Sequence, residues 1–265
     1  MGVIGGRLGY QLLKSISPQR KAGYRTATAY AHKSKLVTLL GAELLERMKG
    51  KVAIDFGCGL GKEAVEMAHH ARRVIGVDIR DTLLTRARAR ADAAGVADRC
   101  TFSTSPTELA DIVVSLDSFE HFEDPADVLR IMAEYLRPDG EVFASFGPIW
   151  YHPLGGHTFS VFPWSHLVFT EPALLRWRKD FRPAQTATRI TECGLNKMTI
   201  RRFQRLVEES PFRFAQFEAR PIRPLRWFAN GLTREFATSV VTCRLVRRDA
   251  ARSTSNANDL LRCES

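Results

Sequence analysis

The sequence predicts an α/β protein built on a doubly wound sheet that is mostly parallel. Over residues 52–147, short apolar segments alternate with longer segments of helical periodicity. The first apolar segment, 52–56, is followed at once by glycines at the alternate positions 57, 59 and 61. A strand, a tight glycine turn and a helix in this order favour a sheet that binds a ligand beyond the carboxyl ends of its strands.

Particular residues mark the boundaries of some of these elements. Pro125 suits the first turn of a helix, and Gly140 suits a turn into the fifth strand. We predict strands at 52–56, 73–78, 100–104, 111–117 and 140–147, with helices at 62–71, 81–94 and 125–136. Further along, we expect helices at 171–180 and 199–209, and strands at 212–219 and 236–245.

The flanks of this alternation differ from it in pattern. Leucines at helical spacing in residues 1–51 predict one or two amphipathic helices, which we interpret as an N-terminal helical cap. The main domain should cover residues 52–248, with a long insertion at 147–190 after the fifth strand. The Ser- and Asn-rich segment 249–265 is typical of a disordered tail.

The glycine turn and two acids indicate which ligand the sheet binds. The spacing is G-x-G-x-G, whereas a dinucleotide turn would need its third glycine at position 62, which is a lysine. Asp55 would repel a pyrophosphate, but it suits a ligand that carries an ammonium and a sulfonium. Asp78, at the end of the second strand, is placed to accept hydrogen bonds from ribose hydroxyls. S-adenosylmethionine carries all of these groups.

At these residues the chain resembles the class I S-adenosylmethionine-dependent methyltransferases, whose first motif is an acid followed by G-x-G-x-G. The resemblance continues in the Glu120-His121 pair after the fourth strand and in Leu136-Arg-Pro-Asp-Gly140 before the fifth. These features are similar to the ubiquinone/menaquinone-biosynthesis (methyltransferase type 11) group of small-molecule enzymes. The resemblance implies a Rossmann-like, seven-stranded mixed sheet whose last two strands form an antiparallel pair at one edge.

The resemblance also implies a cofactor site built from four strand ends. Where many relatives have Gly-Asp-Ala after the third strand, this chain has Ser103-Thr-Ser105-Pro, and we assign Ser105 to the adenine side. The predicted cofactor-binding residues are Asp55, Gly57, Cys58, Gly59, Gly61, Asp78, Ile79, Ser105 and Asp117.

The insertion supplies the candidate acceptor site, because it leaves the carboxyl end of the fifth strand and is unusually long for an irregular segment. We predict His157, with His121 as the alternative, as the base that deprotonates an oxygen acceptor, titrating with a pKa of about 6 to 7. The alternative is that these histidines are hydrogen-bonded wall residues. The predicted substrate-binding residues are Tyr30, Trp150, Tyr151, His152, Trp164 and His166. The spacing of His152, His157 and His166 matches no familiar zinc pattern, so no metal is predicted.

The charge distribution bears on the acceptor and on other partners. The net charge is +10, but residues 52–150 carry −7 while residues 1–51 carry +8 and residues 176–248 carry +11. Basic flanks can attract an acidic substrate, an anionic membrane or RNA, or they can simply be solvated. No RNA-binding module and no Asn-Pro-Pro-Tyr-type tetrad is present, so a small-molecule or lipid acceptor is favoured over RNA. A non-catalytic cofactor-binding protein is the third alternative, and nothing in the sequence indicates an oligomeric state.

Cysteine usage and hydropathy predict the compartment. The five cysteines show no metal or C-x-x-C spacing, which favours reduced thiols and a cytoplasmic protein. We find no secretory signal and no apolar run approaching about 18 residues. A basic and aromatic stretch before the last strand fits peripheral contact with an anionic membrane or a stacked base. Its residues are Arg223, Arg226, Trp227, Phe228 and Arg234.

Overall fold

The computed structural model describes residues 2–17, 33–157, 159–160 and 162–248. The strands of its sheet in chain order are β1 (Val52–Phe56), β2 (Arg73–Val77), β3 (Cys100–Ser103), β4 (Ala110–Leu116), β5 (Leu136–Phe146), β6 (Phe212–Pro221) and β7 (Thr238–Arg247).

The seven strands form one sheet in the order β3-β2-β1-β4-β5-β7-β6. The first five strands of that order are parallel, while β7 runs antiparallel to both β5 and β6. The chain order reverses between β1 and β4, so the edge beyond their carboxyl ends is the expected ligand crevice. The predicted seven-stranded mixed sheet, with an antiparallel pair at one edge, is confirmed.

Helices cover both faces of the sheet and the start of the chain. In chain order they are α1 (Gly6–Ile16), α2 (Lys35–Leu40), α3 (Glu43–Arg47), α4 (Lys62–Ala68), α5 (Asp81–Ala93), α6 (Pro125–Tyr135), α7 (Ser165–Val168), α8 (Glu171–Lys179), α9 (Ile200–Glu208) and α10 (Arg234–Ala237). Among the described residues, none of these helices has the length and apolar character needed to cross a membrane.

Two cores lie on opposite faces of the sheet, because parallel strands covered on both sides are apolar throughout. On one face, Leu129 of α6 and Phe203 of α9 pack against the sheet. On the other face, Leu36 of α2 and Leu84 of α5 do so. Burial of this apolar surface on both sides holds the strand ends, and the side chains that follow them, in fixed positions.

A third core joins α1 to the insertion rather than to the sheet. Leu13 of α1 packs with Phe159 and Trp177 of the insertion. Trp177 Nε1 donates a hydrogen bond to the Ser17 carbonyl at 3.0 Å, and the Tyr10 hydroxyl donates to Asp180 at 2.8 Å. The first helix therefore packs against the insertion, while α2 and α3 pack on the sheet through Leu36 and Leu44.

Several element boundaries differ from the prediction. Strand β5 begins at Leu136, because Leu136 pairs with Ala110 before a register shift that brings Glu141 opposite Ile112. Gly140 thus lies in an irregularity inside the strand, not in a turn before it. The last strand begins at Thr238, two residues later than predicted, because Arg234–Ala237 form the short helix α10. The predicted tail, 249–265, lies outside the described residues, and the division into cap, main domain and tail stays a prediction.

Candidate functional site

The glycine turn is held against β2 by its own backbone. The Gly57 and Cys58 N–H groups donate to the Val77 carbonyl at 2.8 and 2.9 Å. Gly61 has φ +70°, and a Cβ there would lie 2.7 Å from the Cβ of Ala87, so this glycine is required by packing. Gly59 also has a positive φ, +52°, but a Cβ there would meet no atom within 4 Å. Gly59 is therefore the glycine that faces open space, where a ligand can approach the backbone.

Cys58 contributes to this turn through its backbone. Its side chain is buried in the core on the α2 and α5 face of the sheet, and burial raises the pKa of its thiol. The thiol therefore packs in the core, and only the main chain of Cys58 remains to make the predicted cofactor contact.

The Asp78 carboxylate lies directly after β2 and points at the glycine turn. It accepts a hydrogen bond from Gly59 N–H at 3.0 Å and three from Arg80, one of them from the backbone N–H. Burial raises the pKa of Asp78, but the bonds from Arg80 and Gly59 outweigh it and hold that pKa below its ordinary value. The group is therefore ionised at neutral pH.

Asp55 lies beside this turn at the end of β1 and is buried. Its Oδ2 atom is buried without a hydrogen-bond partner among the described residues. Burial, followed by repulsion from Glu63, raises the pKa of Asp55 to about 8. A buried carboxylate oxygen without a partner suits a cationic ligand, so Asp55 and the open space at Gly59 both fit the sulfonium cofactor.

The cation that the structure places at this acidic end is Lys35, from the first turn of α2. Its Nζ lies 2.8 Å from Oδ2 of Asp117, the residue that follows β4. Charge interactions also join Lys35 to Glu63 and Asp55. Sequence analysis missed Lys35, because nothing in the spacing of residues 33–36 indicates that this lysine crosses to the end of β4.

Two further predicted cofactor residues lie at the same edge with exposed side chains. Ile79 follows Asp78 and is among the most exposed large apolar side chains of the described chain, and Ser105 follows β3. The predicted cofactor residues thus come from the ends of β1, β2, β3 and β4, and the fold brings them to one edge.

A second group of side chains lies beyond the end of β4, where Glu120, His121 and His157 come together. Each offers one ligand-type atom within 4.8 Å of the other two, and the two imidazole rings are 5.3 Å apart, edge to face. His121 Nδ1 lies 2.6 Å from the Gly194 carbonyl, and His157 Nε2 lies 2.8 Å from the Pro148 carbonyl. Carbonyl oxygens only accept, so these ring nitrogens carry the protons and the other nitrogen of each ring has a free lone pair.

Glu120 was missed as a site residue, although it forms part of the Glu-His pair noted in the sequence. Its Oε1 accepts from Gly147 N–H at 3.1 Å, and its Oε2 has no partner among the described residues. Burial, followed by repulsion from Asp117, raises the pKa of Glu120 to about 8. A carboxyl group and two imidazoles at this spacing can pass a proton, and the same set could hold a divalent cation.

The expected titration of His157 between pH 6 and 7 is wrong. Burial lowers the pKa of His157 to about 4, and only the bond to the Pro148 carbonyl opposes this. The imidazole is neutral throughout the physiological range, so it does not set an acid limit near neutrality.

A small cleft with a free volume of about 10 Å³, partly open to solvent, adjoins Glu120 and His157. The side chains of Trp150, Lys197 and Met198 line it. The non-glycine residues of the described chain that have positive φ are Asp117, His157, Trp164 and Lys197. All four come from the end of β4, the insertion or this cleft, and strained backbone of this kind tends to cluster at functional sites.

The remaining predicted substrate residues have different environments. His166 is buried, its Nε2 lies 2.5 Å from the Trp150 carbonyl, and burial lowers its pKa. His152 is also buried, and its pKa falls to about 4 for the same reason. The Trp164 indole donates to the Tyr151 carbonyl at 3.0 Å. These four residues support the shape of the insertion, while Tyr30 lies outside the described residues.

Comparison with known proteins agrees with this geometry. A family described as a methyltransferase domain matches residues 54–144. The chain is 32% identical over 165 residues to the ubiquinone biosynthesis O-methyltransferase of Neisseria meningitidis serogroup C, covering 56% of this chain and 65% of that protein. It is 30% identical over 156 residues to the protein of the same name from Acinetobacter baylyi, covering 56% and 64%. The chain therefore spans slightly less than two thirds of the length of these relatives.

Solved structures show the same fold. A TehB-like S-adenosylmethionine-dependent methyltransferase from Corynebacterium glutamicum is 14% identical with a TM-score of 0.50, covering 85% of this chain and 94% of that one. The [4+2]-cyclase SpnF is 13% identical with a TM-score of 0.50, covering 77% and 78%. A methyltransferase and a cyclase share this architecture, so the reaction must be argued from the site. Residues 54–144 thus match a methyltransferase domain, and the acid-glycine turn at Asp55–Gly61 within them is similar to the first motif of the class I, S-adenosylmethionine-dependent methyltransferases.

Proposed function

We propose that this protein transfers the methyl group of S-adenosylmethionine to an oxygen of a small-molecule or lipid acceptor. The observation that supports it best is the group formed by Glu120, His121 and His157, which lies beyond β4, next to the Asp117 end of the cofactor site. When bound, S-adenosylmethionine supplies a methyl group that its sulfonium already activates. The relatives' name, O-methyltransferase, fits an oxygen acceptor.

The residues of this chain have two tasks in such a reaction. They hold the acceptor oxygen in line with the methyl group and exclude water, and they take the proton that a hydroxyl loses. The Nδ1 lone pair of His157 is the one available to take that proton, since its Nε2–H is committed to the Pro148 carbonyl. Glu120, whose pKa is raised to about 8, takes this proton from His157 when it is ionised, a form that becomes populated as the pH approaches 8. The proton then passes from Glu120 to solvent as the product leaves.

The cleft limits which part of an acceptor is enclosed. Its free volume is about 10 Å³, roughly the room that one water molecule needs, so the cleft can enclose no more than the reacting group of an acceptor. The rest of the acceptor must lie outside the cleft.

The test is transfer of a labelled methyl group from the cofactor into separated fractions of a cell extract. We expect label in the lipid or metabolite fraction, and the Glu120→Gln protein should fail to transfer it while still binding the cofactor. Label in RNA would favour the RNA-directed alternative, and cofactor binding with no transfer to any fraction would favour the non-catalytic one.

We further propose that the protein contacts anionic membranes through residues 222–237, which join β6 to β7 and include α10. Trp227 is 85% exposed and Leu232 is 84% exposed, and both Arg223 and Arg226 beside them are exposed. Exposed aromatic and aliphatic side chains next to arginines suit the headgroup region of an anionic bilayer. Phe236 of this segment packs on Tyr151 of the insertion at 5.1 Å, so the surface adjoins the acceptor side of the molecule.

A further inference from the structure

The Asp78 carboxylate is saturated by hydrogen bonds from the protein itself. Oδ1 accepts from the backbone N–H of Arg80 at 3.0 Å and from its Nε at 2.9 Å. Oδ2 accepts from Gly59 N–H at 3.0 Å and from Arg80 Nη2 at 3.0 Å. A carboxylate offers about four lone-pair positions, so these bonds occupy all of them.

The bonds divide into two that are fixed and two that can move. Those from the Gly59 and Arg80 backbones hold the carboxylate in place, because one donor belongs to the glycine turn and the other to the segment after β2. Those from the guanidinium come from a side chain that is 63% exposed, whereas the side chain of Asp78 is 5% exposed. The exposed guanidinium can move into solvent, whereas the buried Asp78 carboxylate cannot. A ribose diol brings two hydroxyl donors, the same number that the guanidinium would release.

We propose that Arg80 competes with the ribose of the cofactor for Asp78 and thereby sets how tightly the cofactor binds. The proposal rests on Asp78 being the ribose-binding carboxylate of the proposed function. The ribose binds only when Arg80 has released the carboxylate, so the apparent affinity is reduced by the fraction of molecules in which it has done so. Because the guanidinium is exposed to solvent, its pair with Asp78 has the modest strength of a surface ion pair, which corresponds to a reduction of about 1.5- to 5-fold.

The competition has two consequences for the catalytic cycle. The methyl donor and its demethylated product carry the same ribose, so Arg80 weakens both and favours release of the product. A nucleoside that lacks one hydroxyl replaces only one of the two guanidinium bonds, so Arg80 also selects for an intact diol. Arg80 is in this sense a specificity-determining residue that acts through Asp78.

The test is calorimetric binding of S-adenosylhomocysteine, which has no net charge, to Arg80→Met and Arg80→Lys proteins. Arg80→Met keeps the apolar stem and removes the two guanidinium bonds, so we expect it to bind about 1.5- to 5-fold more tightly than wild type. Arg80→Lys keeps the charge without the paired donors, so its affinity should lie between those of wild type and Arg80→Met. Arg86→Met, an exposed arginine of α5, is the matched control and should leave the affinity unchanged.

An Asp78→Asn protein separates this inference from the assignment on which it rests. If Asp78→Asn binds S-adenosylhomocysteine as tightly as wild type does, Asp78 is not the ribose carboxylate and the site assignment fails. If Asp78→Asn weakens binding but Arg80→Met binds no better than wild type, the assignment stands and the competition is overturned. Weaker binding by Arg80→Met would show that the guanidinium contacts the ligand.

Discussion

At the scale of single residues, the buried Asp55 carboxyl links cofactor binding to pH. Its pKa is raised to about 8, first by burial and then by Glu63, so at pH 7 the group is mostly protonated. An ammonium or sulfonium binds the ionised form, so cofactor binding should release a proton from Asp55. We therefore predict that affinity for S-adenosylmethionine rises with pH up to about 8, by at most about tenfold per pH unit, and then levels off.

Calorimetry between pH 6 and 9, in buffers with different ionisation enthalpies, measures both the affinity and the released proton. In the Asp55→Asn protein the affinity should be lower and its dependence on pH should disappear. Wild-type binding that releases no proton would mean that Asp55 keeps its proton beside the cofactor, and would contradict this prediction.

Glu120 and His157 carry a separate prediction, about turnover at saturating cofactor. The pKa of Glu120 is raised to about 8 by burial, so the group becomes a proton acceptor only as the pH approaches 8. The pKa of His157 is lowered to about 4 by burial, so this imidazole stays neutral above pH 5. Turnover should therefore rise through about pH 8 and then level off. Glu120→Gln should remove this rise and lower kcat by about 100-fold or more.

His157→Ala should also lower kcat, but the rise near pH 8 should persist because Glu120 still titrates. Each variant is measured with and without a chelator, which separates proton transfer from any role of a bound cation. An acid limit near pH 6 to 7 that disappears in His157→Ala would show that His157 itself titrates in that range, against what its burial requires.

The carboxylates were predictable because each follows an apolar strand, and the ends of parallel strands share one edge. This rule alone predicts that three carboxylates lie at the same edge of the sheet, those of Asp55, Asp78 and Asp117. Lys35 and the free oxygen of Glu120 were not predictable, since their roles depend on contacts between α2 and β4 and on how deeply the end of β4 is buried. The pKa of His157 was predicted wrongly for the same reason, because sequence does not report burial in an irregular insertion.

At the scale of elements, two glycines of the same turn are expected to serve different purposes, Gly59 cofactor binding and Gly61 stability. Alanine at Gly59 would adopt a positive φ in open space, which costs about 1 to 2 kcal/mol. Alanine at Gly61 would also collide with Ala87 and Phe102, which adds about 1 to 3 kcal/mol. We predict that Gly59→Ala loses cofactor binding with a small drop in Tm, whereas Gly61→Ala loses mainly stability.

Thermal unfolding and calorimetric binding are measured on the same preparations. Gly95→Ala is the control for backbone strain, because Gly95 has φ +68° with nothing within 4 Å and lies after α5, away from the turn. It should resemble Gly59→Ala in Tm and wild type in binding. If Gly95→Ala lost binding to the same degree, the effect at Gly59 would reflect strain and not contact with the ligand.

The helices and strands were predicted best where the hydrophobic periodicity of a segment and the turn residues at its ends indicate the same element. Strand β1 has the predicted bounds because five buried residues end at a glycine turn. The start of β5 was misplaced because the segment from Leu136 to Gly140 looks like a turn, although Leu136 already pairs with β4. The start of β7 was misplaced because Phe236 and Ala237, apolar enough for a strand, belong to the helical turn of α10.

At the scale of the whole molecule, acidic and basic residues are concentrated in different parts of the chain. Residues 52–150, which hold the cofactor turn, carry −7, whereas residues 176–248, which include β6, β7 and the exposed connection between them, carry +11. An acidic cofactor domain suits a cationic methyl donor, and a basic segment next to the insertion suits an anionic surface. This arrangement would direct the acceptor side of the molecule towards a membrane.

The prediction that follows concerns vesicle binding. Wild-type protein should float with vesicles that contain anionic lipid, and less so with neutral vesicles. A Trp227→Ser and Phe228→Ser double variant should lose most of this binding, because these side chains, 85% and 57% exposed, supply the apolar contact. Binding should weaken as salt is raised, since exposed charges are screened over about 10 Å at 0.1 M ionic strength.

Leu109→Ser is the matched control, because Leu109 is 44% exposed but lies before β4, far along the chain from the connection. It should float like wild type, and all three proteins should bind S-adenosylhomocysteine equally, since none of these residues belongs to the cofactor site. An RNA gel shift is run on the same proteins. If the double variant floated as well as wild type, residues 222–237 would not be the contact surface. If wild type shifted RNA but ignored anionic vesicles, the basic segment would serve nucleic acid instead.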